Sequence, residues 1–216
     1  MSDERYSRQE KIIPRDRLLS IEATVIGCGS IGRQVAIMLA AIGTPKIILY
    51  DFDSVDISNV ATQGYFHENI DSLKVAVLKN YLEKINPDIE VEVLGRFTLN
   101  TEASDTVFCC VDSITTRGMI WEAVKDNAWF FCDGRMAAES LRVLCACDEV
   151  GRKHYPSTLF EAKDAYQGSC TAKSTIYCAN IAAGFMVSQF TKHLRSMPTD
   201  QDMLLNIFGC EITHNC

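Results

Sequence analysis

The sequence predicts an α/β fold of the Rossmann type, a mostly parallel sheet with helices on both faces, closed by a crossover loop and a C-terminal helix. Three observations predict it. Short apolar, β-rich runs alternate with segments of helical spacing through about the first 135 residues. Two of those runs stop on an acid, Asp51 and Asp112. A G-x-G-x-x-G stretch stands between the first strand and the first helix.

The elements run in order along the chain. After a polar arm, residues 23–26 form a strand that meets Gly27, and residues 30–41 form a helix. KIILY at 46–50 is a second strand, closing a β-α-β unit of roughly 30 residues. Its unbroken apolar run suits a strand buried on both faces. Residues 73–84 have helical spacing that stops at Asn86-Pro87, and residues 89–94 alternate apolar with acidic side chains as a strand does. Residues 106–111 form another buried strand. Residues 121–126 are expected helical, and 129–132 and 140–147 extended. The polar stretch 148–169, with Gly, Pro and charges but no clean period, is expected to be a crossover loop. Residues 175–194 resume a long apolar helix and 203–212 a final strand. With no internal repeat or composition break, residues 1–216 are expected to form one domain: an arm to residue 22, a nucleotide-binding core over 23–147, a crossover over 148–174, and a closing helix and strand over 175–216.

Composition narrows the function classes. At 216 residues, 47% hydrophobic and 23% charged, the chain is a folded protein and not a disordered one. A formal charge of −7 supplies no global positive field for nucleic acid or an anionic membrane surface, so neither partner is expected. No apolar run reaches the ~20 residues of a membrane span. Ten cysteines could mark a disulfide scaffold, but a chain this long buries a real core, and its start, MSDERYSRQEKI, is charged where a signal peptide would be apolar. Reduced thiols and a cytoplasmic location are expected.

The motif that carries chemistry is Gly27-Cys28-Gly29-Ser30-Ile31-Gly32, with Asp51 lying 19 residues beyond Gly32. Glycines let a backbone approach phosphate, the helix N-terminus offers N–H donors, and the acid accepts from ribose hydroxyls. An adenine nucleotide is therefore expected. A nicotinamide dehydrogenase would need a hydride-transfer site, and nothing after Asp51 has that character.

The residues beyond the second strand are more specific: Asp51-Phe52-Asp53-Ser54-Val55, then Ser58-Asn59, Gln63, and Lys74 at the next helix. With Arg5-Tyr6-Ser7-Arg8-Gln9 before it, and Asn86-Pro87 and Asp112 with Arg117 after it, the series resembles the ThiF/MoeB adenylyltransferase superfamily, ATP-dependent activators of ubiquitin-like proteins and of sulfur carriers. The matches run in order over roughly residues 5–117, and residues from Cys170 onward resemble the family's last helix and strand.

The resemblance implies that ATP reacts at its α-phosphate with the C-terminal carboxylate of a small β-grasp protein. By similarity, Gly27, Gly29 and Gly32 cradle the nucleotide and Asp51 holds ribose with Asp53 beside it. Asn59 and Lys74 reach the phosphates, Gln63 belongs to the nucleotide site, Asp112 holds Mg²⁺, and Arg8 crosses a homodimer to the partner subunit's ATP. One position departs. The family commonly has arginine immediately before the glutamine, where this chain has Thr62, so one phosphate contact is missing. Arg33 could compensate, or could be a solvated charge on the first helix turn.

The cysteines divide. The family's usual zinc site of two C-x-x-C pairs is not encoded, and structural zinc is not expected; only a set of Cys145, Cys147, Cys210 and Cys216 stays geometrically open. Cys109, Cys110 and Cys132 read as small buried hydrophobes, and Cys28 as a small side chain within the loop. Cys178 reads as buried in the last helix. Cys170, in Gly168-Ser169-Cys170-Thr171 before that helix, resembles the cysteine on which the smallest ubiquitin-like activators carry a thioester, and Lys173 could lower its pKa. The expectation is a minimal homodimeric activating enzyme, with any conjugating enzyme docking on the core or its loops. The alternatives are a sulfur-carrier or tRNA-modifying adenylyltransferase without the thioester, and a nucleotide-binding subunit without catalysis.

Overall fold

The computed structural model describes residues 4–161 and 174–215. The arm carries a short helix α1 (Arg15–Leu18) and is followed by β1 (Glu22–Ile26), α2 (Ser30–Ile42) and β2 (Lys46–Tyr50). Next come α3 (Ile57–Gln63), α4 (Lys74–Ile85), β3 (Glu90–Leu94), β4 (Thr106–Cys109) and α5 (Ile114–Val124). The chain continues through β5 (Phe130–Ala137), β6 (Ser140–Cys145), α6 (Glu149–His154), α7 (Ile176–Leu194), β7 (Asp202–Asn206) and β8 (Glu211–Asn215). The strands form one sheet in the order β3-β2-β1-β4-β5-β6-β7-β8. The pairs from β3 to β5 are parallel, and β5 to β8 continue antiparallel. The expected α/β sheet is therefore observed, with an antiparallel extension on one side.

Alternation along the strands fills two layers. On β4 and β5, Phe108 and Phe130 face α7 and meet Phe190 at ring separations of 5.7 and 5.3 Å. The neighbouring Phe131 faces the other way, with Trp121 of α5 at 5.0 Å and Tyr155 at 4.9 Å. The first layer holds α2, α4 and α7 through Leu39, Leu78 and Phe190; the second holds α5 through Ile120, Trp121 and Val124. No helix among the described residues is long and apolar enough to cross a membrane.

Several boundaries differ from expectation. The expected crossover loop contains α6 and a 3₁₀ turn (Tyr155–Thr158). Asp148 starts that helix by accepting from the Gly151 amide at 2.7 Å, and so short a segment has no room to display a helical period. The single final strand is a hairpin, β7 turning through Phe208 and Gly209 into β8, with Leu205 opposite Ile212. Helix α5 begins seven residues before Trp121, because Ser113 accepts from the Thr116 amide at 3.2 Å and starts the helix on polar residues. Helix α3 is an addition to the expected elements; Asp56 and Asn59 form its capping box.

Candidate active site

A groove of about 1620 Å³ opens over the C-terminal ends of β1, β2, β4 and β5. It lies where the strand order reverses, with the chain running from β1 outward to β2 and β3 on one side and returning to β4 on the other. Open α/β sheets bind ligands at such a point because adjacent loops diverge there.

The glycine loop forms one wall. Gly27 has a φ of +91°, and a Cβ there would come within 2.8 Å of the Cys110 carbonyl oxygen. A Cβ on Gly32 would run into the Gly27 carbonyl oxygen. Those two glycines are required by the fold. Gly29 is different: a Cβ would meet nothing closer than Gln63 Oε1 at 3.9 Å, so the space above it belongs to the groove. Gly29 is also the N-cap of α2 and supplies no side-chain acceptor, which leaves the N–H donors of the first turn directed toward that space.

Asp51 at the end of β2 holds this loop in place. Its Oδ2 accepts from the Cys28 amide at 2.6 Å and its Oδ1 from the Asp53 amide at 2.8 Å. Cys28 itself is fully buried, and burial, followed by the nearby Asp51 charge, pushes its thiol pKa well up. It packs as a small buried side chain within the loop.

Opposite the loop, Lys74 opens α4. Only 6% of it is exposed, its Nζ lies 3.1 Å from Asp53 Oδ2, and its amide donates to the Asp53 carbonyl at 3.0 Å. A buried ammonium is thus held at the groove by a half-exposed carboxylate. Gln63 also lines the groove, with its Oε1 buried and without a hydrogen-bond partner. Asn59 is not among the lining residues; its Oδ1 accepts from the Asp56 amide at 3.0 Å in the α3 capping box. Thr62 Oγ1 donates to the Ser58 carbonyl at 2.8 Å and brings no charge.

Arg33 takes neither of the two expected roles. It is buried, with its guanidinium over the rings of Tyr65 at 5.1 Å and Tyr81 at 5.3 Å, and it is not among the lining residues. It is therefore neither solvated nor placed to replace the missing arginine. Burial lowers its pKa, opposed by the two tyrosines, which is the environment of a cation held against aromatic faces.

Asp112 sits on the turn after β4, exposed to the groove, and forms no hydrogen bond or ion pair among the described residues. A single free carboxylate suits Mg²⁺, which keeps several waters and takes phosphate oxygens as further ligands. Among the described residues no group of three or more His, Cys, Asp or Glu could hold an ion by itself. Arg117, five residues on, is buried and paired with Asp133, a residue with no exposed surface. Sequence reasoning misses Asp133, Arg135 and Tyr155. The signal was available: an acid follows three buried residues, Phe130, Phe131 and Cys132, inside one strand.

The other wall is the loop after β3. Phe97 is buried, Leu99 is exposed, and the Arg96 guanidinium lies 3.5 Å from the centre of the Phe52 ring. Arg8 belongs to the exposed part of the arm and does not line this chain's groove. The arm is anchored by Tyr6, buried beneath Arg15 at 4.0 Å. Cys170, Lys173 and Cys216 lie outside the described residues. Cys109, Cys132, Cys145 and Cys178 are buried, Cys110 and Cys147 half-buried and Cys210 exposed. Burial raises the Cys178 pKa to about 11.

The profile of the ThiF family matches residues 6–211. The sulfur carrier protein ThiS adenylyltransferase of Escherichia coli is 34% identical over 126 residues, covering 52% of this chain and 50% of that protein. Ubiquitin-like modifier-activating enzyme 5 of Caenorhabditis elegans is 29% identical over 205 residues, covering 83% of this chain and 49% of that one. The chain thus spans about half the length of the curated relatives it matches. Among solved structures, E. coli MccB superposes with a TM-score of 0.79 at 17% identity, over 100% of this chain and 70% of that one. PaaA superposes with a TM-score of 0.80 at 17% identity, over 98% and 72%. Both share the fold.

Proposed function

The chain belongs to the ThiF family, and from that premise we propose that it activates the C-terminal carboxylate of a small ubiquitin-like, β-grasp protein with ATP. The reading rests on one observation above others: the glycine loop, Asp51, Lys74 and Asp112 all line a single groove at the switch point of the sheet. The small protein's carboxylate oxygen attacks the α-phosphorus, the bond to the β-phosphate breaks, and pyrophosphate leaves with the electron pair. The product is an acyl-adenylate.

Each group has a physical task. Asp51, already fixed by two amides, keeps lone pairs for ribose hydroxyls. The α2 N-terminus and Lys74 face the triphosphate, and Lys74 exchanges its Asp53 partner for a phosphate oxygen. Asn59 and Gln63 supply polar contacts from α3, Asn59 after leaving its cap. Asp112 would hold Mg²⁺, which when bound would supply positive charge to neutralise the phosphates and so admit an anionic carboxylate. Arg8 reaches a second copy's nucleotide in a homodimer. The thiolate of Cys170 then attacks the acyl carbon, AMP leaves, and the small protein is held as a thioester for transfer to a conjugating enzyme. We place the reaction in the cytoplasm.

The test is ATP–pyrophosphate exchange by the full chain with its small-protein partner. Exchange dependent on that partner supports adenylation; its absence overturns it. A second reading, adenylation without the thioester, is favoured by the 34% identity to the ThiS adenylyltransferase. A non-reducing gel separates the two, since a thioester yields an adduct that disappears with thiol reductant and an adenylate yields none. Nucleotide binding without exchange would instead identify a non-catalytic subunit, the outcome that Thr62 invites.

A further inference from the structure

Asp133 is buried completely in β5 and does not line the groove, yet three donors converge on it. Arg117 pairs with its Oδ1, while Arg135 Nε and the Tyr155 hydroxyl donate to its Oδ2 at 2.8 and 2.9 Å. A carboxylate without solvent is costly unless its lone pairs are filled by charged or polar donors. Here Oδ1 is ion-paired with Arg117 Nη1, and a guanidinium held at one terminal nitrogen by a buried carboxylate and at the other by backbone carbonyls cannot rotate freely.

The other terminal nitrogen of Arg117, Nη2, donates to the Val111 carbonyl and, at 3.2 Å, to the Gly134 carbonyl. Val111 directly precedes Asp112. On the other side, Ser113 is held by the first turn of α5, its side chain accepting from the Thr116 amide at 3.2 Å and its carbonyl from the Arg117 amide at 3.0 Å. Asp112 therefore stands between two clamped residues while its own carboxylate stays free in the groove. Arg135 secures the far end of the network, donating to the Thr158 carbonyl at 2.8 Å and the Thr158 hydroxyl at 3.0 Å.

We propose that Asp133 is a positioning residue for the Mg²⁺-binding carboxylate of Asp112, acting through the Arg117 guanidinium and the Val111 carbonyl. The inference rests on the nucleotide reading above. Arg117 cannot hold that turn in one place unless Asp133 holds Arg117, so the buried charge matters at the groove without touching any ligand.

Calorimetric titration of the full chain with ATP, in Mg²⁺ and in EDTA, tests this on the unaltered protein, Asp133→Asn, Asp112→Asn and the double variant. Asp133→Asn is expected to weaken binding in Mg²⁺ by about ten- to a hundredfold, the usual loss when a ligand's supporting partner is removed. In EDTA the change should stay under about twofold, and in the Asp112→Asn background the second substitution should add less than about twofold. A merely structural role would weaken binding equally in both conditions, or add its full loss to that of Asp112→Asn, and either result overturns the proposal. If Asp133→Asn does not fold, Arg117→Lys keeps the ion pair but cannot span Asp133 and Val111 together; the same Mg²⁺-selective loss is expected, and an equal loss overturns it. Unaltered protein that binds ATP identically with and without Mg²⁺ would refute the Mg²⁺ reading and this inference together. A Mg²⁺-dependent parent with an unaffected Asp133→Asn would refute this inference alone.

Discussion

The buried ammonium of Lys74 lies 3.1 Å from the half-exposed carboxylate of Asp53, and the Lys74 amide also binds the Asp53 carbonyl. Backbone and side chain are thus both tied to the strand-end loop that carries Asp51. The pair keeps a cation at the groove wall that would otherwise extend into solvent, and its acidic partner is accessible enough to be displaced by an incoming polyanion. Lys74→Gln is expected to fold and to lose about two orders of magnitude or more in pyrophosphate exchange, the scale of removing a donor to a developing anion. Thermal unfolding alongside the exchange assay separates the two effects.

Two glycines of the loop, Gly32 and Gly29, are expected to behave differently. Gly32→Ala drives a methyl into the Gly27 carbonyl and should destabilise the fold by about 1–3 kcal/mol or more, as overpacking does. Gly29→Ala meets no atom closer than 3.9 Å and should leave the unfolding midpoint nearly unchanged while weakening nucleotide binding. Thermal melts with and without ATP distinguish these outcomes; an equal drop in midpoint for both would contradict the geometry.

Thr62→Arg should tighten ATP binding by about tenfold, the worth of one charge-assisted hydrogen bond. Thr62 is half-buried near the C-terminal end of α3 and gives up only its bond to the Ser58 carbonyl. Calorimetry on the variant reads the effect directly. An unchanged affinity would mean that residue 62 does not face the phosphates in this chain.

The buried thiols predict an alkaline limit to stability. Burial raises the pKa values of Cys28, Cys109 and Cys132, and brings Cys178 to about 11 from an ordinary value of 9.0. The folded chain keeps protons that the unfolded chain releases, so unfolding free energy is expected to fall as pH rises above about 9. Denaturant midpoints measured between neutral and alkaline pH check the sign. At pH 8, alkylation followed by peptide mapping should label exposed Cys210 well before Cys178.

Cys170→Ala should abolish the reductant-sensitive adduct with the small protein and leave pyrophosphate exchange in place, because adenylation precedes the thiol's attack. Retention of the adduct would assign the thioester elsewhere.

The sequence by itself determined the alternation of strands and helices, the glycine loop at its turn, and the family. Those features rest on local steric rules: β-branched runs, breakers such as Asn86-Pro87, and positions that tolerate no Cβ. It also placed Asp51, Lys74 and Asp112 in one series, and the fold brings all three to one groove. Only the tertiary structure decided where charged side chains point. Arg33 follows Gly32 directly, yet it turns into a pocket built by Tyr65 and Tyr81, which no spacing along one helix reveals. Asp133 reads as a charge inside an apolar strand until Arg117, Arg135 and Tyr155 arrive from separate segments to satisfy it. A local pattern sets which backbone a segment can adopt, whereas the burial of a charge depends on partners supplied from elsewhere in the chain.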